Sequence, residues 1–158
     1  MTTTERFTAL RQILVGFCTL LAYLILTGML ASTAAAQPTG LVVQVQGLRN
    51  SQGNVLVNVF RSEDGFPSQP AKAVATASAR AATPTVRVPL NLPAGSYAIA
   101  VLHDEDGDGT TATNFLGIPK EGVGASNNAK GRIGPPKFSD ARFAYAGGQM
   151  TITITIGY

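Results

Sequence analysis

From Leu41 onward the dominant spacing of apolar side chains is two, and that spacing restricts the fold more than any other feature of the chain. LVVQVQG puts Leu41, Val43 and Val45 on one face and Gln44 and Gln46 on the other, as in a half-buried strand. NVLVNVF repeats the pattern with Val55, Val57 and Val59 inward. The turn residues Asn50 to Gly53 between these stretches predict a hairpin. AKAVATASAR is Ala-rich enough for a helix, but its alternation favours a strand. TVRVPLNL reads as a strand ending at Pro93. In AGSYAIAVLH both faces are apolar, with Tyr97, Ile99 and Val101 on one and Ala98, Ala100 and Leu102 on the other, so a central strand is expected. ARFAYA, the Gly147-Gly148 turn and QMTITITIGY follow, with Met150, Ile152, Ile154 and Ile156 alternating with threonines. Short strands between turn signals predict an all-β class, an antiparallel β-sandwich of about seven strands. Length argues against a lipid-spanning barrel, which needs at least about eight tilted strands of about ten residues each.

The N-terminus follows another pattern. Arg6 and Arg11 precede the uncharged run Ile13 to Leu30, and Ala34-Ala35-Ala36 offers a small-residue cleavage site before Gln37. A charged start, an apolar run and such a site are the parts of a secretory signal. The expected organisation is a signal peptide over 1–36 and a β-sandwich domain over 37–158. The alternative is an uncleaved anchor, since 18 apolar residues rise about 27 Å as a helix, close to a hydrocarbon core. With the arginines ahead of the run, either outcome places the domain outside the cytoplasm, in the periplasm or at the cell surface. The single cysteine, Cys18, lies in this segment, so the exported part is without disulfides and its core must supply the stability. Ten Lys and Arg against eight Asp and Glu leave residues 37–158 at +2, which points neither to nucleic acid nor to a membrane surface. Membrane contact is expected only through the N-terminal segment, if it is retained.

Residues 104–139 show no period, seven glycines and three prolines, and read as one long loop. A loop of that length in a compact domain either argues against the assignment or carries function. It opens with Asp104, Asp106 and Asp108 at alternate positions, then Gly109, which is the first half of a calcium loop. Hard carboxylate oxygens at alternate positions before a glycine turn can wrap one ion, with the Thr110 carbonyl as a further ligand. The second half is missing, because Ala112 and Phe115 stand where further carboxylates would be. A weak structural calcium site or a plain polar turn both fit, and calcium is the one cofactor suggested. His103, the single histidine, shares the face of Tyr97, Ile99 and Val101, which favours a packed role over catalysis. Ser126 lacks the context of an activated nucleophile. Lys120, Lys130, Arg132 and Lys137 follow the acidic residues, which suggests pairing across the loop or a cradle for an anion. Asn114, Asn127 and Asn128 offer polar contacts to a ligand.

Three blocks, LPAGSYAIAVLHDEDGDG, NFLGIPKEGVGASNNA and PPKFSDARF, resemble the bacterial family known as domain-of-unknown-function family 2141. The likeness spans Leu41 to Tyr158 and includes His103, Asp104, Glu105, Gly107, Gly109, Asn114, Phe115, Gly117, Pro119, Glu121, Gly122, Gly124, Ser126, Asn127 and Asn128. It implies an exported protein without an established activity. The family often has Asn at positions 106 and 108, typically Asp where this chain has Ala112, and commonly an aromatic at Val123, and the loss at 112 weakens a calcium site. The LPAGSYAIAV block also resembles strand entries of transthyretin-like and collagen-adhesin B-type sandwiches, which implies an Ig-like or transthyretin-like architecture. Three functional readings stay open. The first is a non-enzymatic module binding an envelope protein or a small ligand through the loop residues His103, Asn114, Glu121, Ser126, Asn127 and Asn128. The second is a hydrolase using His103, Asp104 and Glu121, and the third a purely structural envelope component.

Overall fold

The computed structural model describes residues 40–111 and 120–158, so the expected signal segment and Asn114 lie outside the described residues. Among the described residues eight strands form: β1 (Leu41–Gln46), β2 (Asn54–Phe60), β3 (Ala75–Arg80), β4 (Thr85–Leu90), β5 (Gly95–Asp104), β6 (Gly122–Ala125), β7 (Phe143–Tyr145) and β8 (Met150–Thr155). They make a three-stranded sheet in the order β4-β1-β8 and a five-stranded sheet in the order β3-β2-β5-β6, with β7 paired to the start of β5. The all-β sandwich expected from the period-two pattern is therefore present.

The core lies between the two sheets. Leu41, Val43, Val45, Val88 and Ile154 from one sheet meet Val55, Val57, Val59, Tyr97, Ile99 and Val101 from the other. Apart from Val88, whose facing is not predicted, these are side chains that alternation groups on shared faces, and each contributes about 1.5–3 kcal/mol by leaving water. β5 is buried on both faces, as its two apolar faces required. β3 does form a strand, its half-buried alanines alternating with exposed Thr76, Ser78 and Arg80. At the entry to β5, the Tyr97 hydroxyl donates to the Pro93 carbonyl at 2.9 Å and accepts from Arg61 Nη2 at 2.9 Å. A side chain at Gly95 would stand 3.0 Å from that hydroxyl, so the Gly-Ser-Tyr entry is a tyrosine corner in which only glycine fits comfortably.

Four expectations need refining. The described residues form eight strands where about seven were expected, because β6 has two glycines in four residues and carries almost no apolar pattern. The sandwich is not wholly antiparallel: β1 and β8 pair in parallel, Val43 opposite Ile152. β1 and β2 do not form a hairpin. β1 pairs with β4 and β8, and β2 with β3 and β5, so the residues between them carry the chain from one sheet to the other. Two strands with one apolar face each can bury those faces across the sandwich as well as side by side, and a local turn signal does not distinguish the two. Finally, 104–139 is not one loop: Asp104 ends β5, and β6, a 3-10 turn at Ser126–Asn128 and the short helix α1 (Phe138–Ala141) interrupt it. Among the described residues no helix is long and apolar enough to cross a membrane.

Candidate functional site

β5 delivers His103 and Asp104 to one end of the sandwich on opposite faces. His103 is fully buried, with Nε2 2.9 Å from the Gln52 carbonyl and Nδ1 2.6 Å from the Tyr158 hydroxyl. A carbonyl only accepts, so Nε2 carries a proton, and in that tautomer Nδ1 accepts from Tyr158. Tyr158 Oη accepts in turn from the Arg49 amide at 3.0 Å, and the Arg49 guanidinium lies 4.5 Å from the centre of its ring. Arg49 Nε donates to Glu105 Oε1 at 2.7 Å and Asn50 Nδ2 to Glu105 Oε2 at 3.1 Å. The hydrogen bond from Arg49 holds the Glu105 carboxyl below its ordinary value against the opposing effect of desolvation, and the same bond raises the Arg49 guanidinium. Glu121, also buried, accepts the Glu105 amide at 2.9 Å.

Asp104 turns the chain into the acidic segment. Its side chain is 2 % exposed, and its oxygens accept the amides of Gly107 at 2.8 Å and Gly109 at 3.1 Å. Asp106 Oδ1 accepts the Asp108 amide at 3.1 Å, and Asp108 Oδ1 accepts the amide and the hydroxyl of Thr110 at 2.7 and 2.9 Å. Gly107 and Gly109 take φ of +80° and +73°, which lets the chain curl around the carboxylates at little steric cost. One oxygen from each of Asp104, Asp106 and Asp108 lies within 4.8 Å of the others. Two ligands held at about 2.3–2.6 Å on one calcium ion are at most about 5 Å apart, so the spacing fits a shared ion.

His103, Asp104 and Glu121 are thus brought to the same end, but each is engaged with its own fold partners. His103 has both ring nitrogens engaged and no contact with solvent, which leaves it no open nitrogen for a general base in this conformation. Among the described residues the ion pairs are Arg49–Glu105, Lys72–Asp64 and the His103–Glu105 approach, and none of these joins Asp104, Asp106 or Asp108 to Lys120, Lys130, Arg132 or Lys137. β6 runs back along β5, with Gly122 opposite His103 and Ala125 opposite Ala100, so Lys120 precedes the strand at the Asp104 end while Lys130, Arg132 and Lys137 follow from its other end.

Residues 43–153 match the family described as an uncharacterized protein conserved in bacteria, DUF2141. The chain belongs to this family. Neither curated proteins nor solved structures give a match. In this DUF2141 domain the Ser-Asn-Asn run, expected to face a ligand, acts as a clamp. Ser126 is fully buried, accepting the Ile99 amide at 2.9 Å and donating to the Ala141 carbonyl at 2.6 Å. Asn127 Nδ2 donates to the carbonyls of Asp140 and Arg142, and Asn128 Oδ1 accepts the Thr155 amide at 2.8 Å. Both asparagines have positive φ, a conformation asparagine adopts more readily than most residues. The family glycines of β6 have a packing reason: a Cβ at Gly122 would lie 2.4 Å from Ile156 Cγ2, and one at Gly124 2.8 Å from Ile154 Cγ2. No spacing in the chain points to the Arg49, Asn50, Gln52 and Tyr158 partners, since they come from distant turns and from the last residue. The signal that was available is Glu105, a carboxylate in the family pattern that the alternate Asp spacing does not use.

Proposed function

We propose that this DUF2141 domain is an exported, non-enzymatic binding or interaction module whose Asp104–Thr110 segment takes a calcium ion as a structural ligand. The observation that carries the reading is the convergence of the three aspartate oxygens within 4.8 Å at the open end of β5. Three carboxylates and the Thr110 carbonyl would supply about four of the six to eight oxygens calcium prefers, water completing the shell. That donor count gives weak binding, with a dissociation constant of about 10⁻⁴–10⁻³ M, in the range of extracellular modules. An ion held this way would fix the loop as a recognition surface for an envelope protein or a small ligand, and export would supply a compartment where calcium is abundant enough to fill the site.

Isothermal titration of the protein with calcium tests this. The expected result is one binding event in that range, lost in the Asp106→Asn/Asp108→Asn double variant. Equal heats for wild type and the double variant would refute it.

A further inference from the structure

We propose that the tip at Arg132-Ile133 docks onto an anionic lipid surface. Ile133 is 100 % exposed, more than Val74 at 52 %, Tyr158 at 47 % or Val123 at 37 %. Lys130, Arg132 and Lys137 flank it, all exposed, with no acidic residue from 122 to 139. None of the three cations belongs to an ion pair among the described residues. The chain doubles back tightly here: a Cβ at Gly131 would stand 1.9 Å from the Gly134 carbonyl oxygen, so Arg132 and Ile133 occupy the apex. Pro135-Pro136 stiffens the return, and α1 begins at Phe138, anchored through the Ser126 bond to Ala141.

The net charge of +2 conceals this local concentration of cations. A partner protein of ordinary kind would need about 800 Å² of complementary surface, whereas this is one aliphatic side chain on a protruding turn. A soft anionic interface accepts that shape. The aliphatic group enters the acyl boundary while the cations remain among the headgroups. Each cation near such a surface strengthens partitioning about fivefold, and burial of Ile133 by about tenfold or more. The site shares no residue with the calcium reading, and the two can fail separately.

The chain contains no tryptophan, so Ile133→Trp in the full-length protein creates a single fluorescent reporter at the tip. The expected result is a blue shift with vesicles of mixed phosphatidylglycerol and phosphatidylcholine and none with phosphatidylcholine alone. Replacing Lys130, Arg132 and Lys137 by Gln in that background should weaken the partitioning about 100-fold. Val74→Trp, at an exposed position elsewhere, controls for adsorption through the N-terminal segment and should not shift. The proposal is overturned by an absent shift, by an equal shift on neutral vesicles, or by an equal shift from Val74→Trp. A shift produced by soluble polyglutamate but not by vesicles would also overturn it, and would assign the tip to an acidic polypeptide.

Discussion

Glu105 illustrates what one residue contributes at the open end of β5. Arg49 and Asn50 both donate to it, and Arg49 is the larger cause of its lowered affinity for protons. A carboxyl held below its ordinary value of 4.5 in the fold binds more protons when unfolded, so stability rises with pH across that window. The contribution is complete above the ordinary value and is lost as pH falls through the folded one. Melting temperature measured against pH should therefore separate wild type from Glu105→Gln near neutrality, with the gap closing below about pH 4.5. A constant offset at every pH would contradict the sign. The gap should be modest and shrink in salt, because Arg49 is half exposed. Sequence legibility at this scale was uneven. The burial of His103 followed from its parity with Tyr97, Ile99 and Val101. Its hydroxyl partner Tyr158 is 55 positions away, and no spacing rule reaches it.

Among elements, the strands with strong alternation were legible and the irregular ones were not. β1, β2, β5 and β8 each bury the face their pattern assigned. β6 was invisible because two of its four side chains are hydrogen atoms: at Gly122 and Gly124 a Cβ would collide with β8 and the residues just after it. The β1–β2 connection failed for a different reason, since turn residues report a change of direction and not which sheet the chain enters next. Gly53 shows what that connection demands. Its φ is +66°, and a Cβ there would lie 1.9 Å from the Asp104 carbonyl oxygen, a backbone atom that cannot swing aside. Gly107 also has positive φ, +80°, but nothing lies within 4 Å of its missing Cβ. Alanine at 107 should cost about 1 kcal/mol, the conformational penalty alone. Alanine at 53 should cost about 3 kcal/mol or more, because the ladder between β2 and β5 must shift as well. Urea denaturation of the two variants checks this, and equal losses would show that the close approach at Gly53 is relieved cheaply.

Across the whole domain, β1 and β8 lie side by side, and Gly157 bridges to Val123, so the last strand touches both sheets. The acidic segment hangs from the far end of β5 within that closed frame, and on the proposed calcium reading an ion bound there would act on the stability of the frame by mass action. With calcium at ten times the dissociation constant, the folded state gains about 1.4 kcal/mol, or about 5 °C in melting temperature for a domain of this size. The same geometry sets a cost when no ion is bound, because three carboxylates within 4.8 Å repel one another. Asp106→Asn/Asp108→Asn removes two of those charges while keeping an acceptor oxygen for the amides of Asp108 and Thr110. Asp104 is left untouched, since it holds Gly107 and Gly109 and its loss would disturb the loop itself. The double variant should therefore melt at or above wild type in chelator and below it in millimolar calcium. That crossing separates a bound ion from a polar turn: a turn held only by its own hydrogen bonds gives two curves with the same order in both conditions.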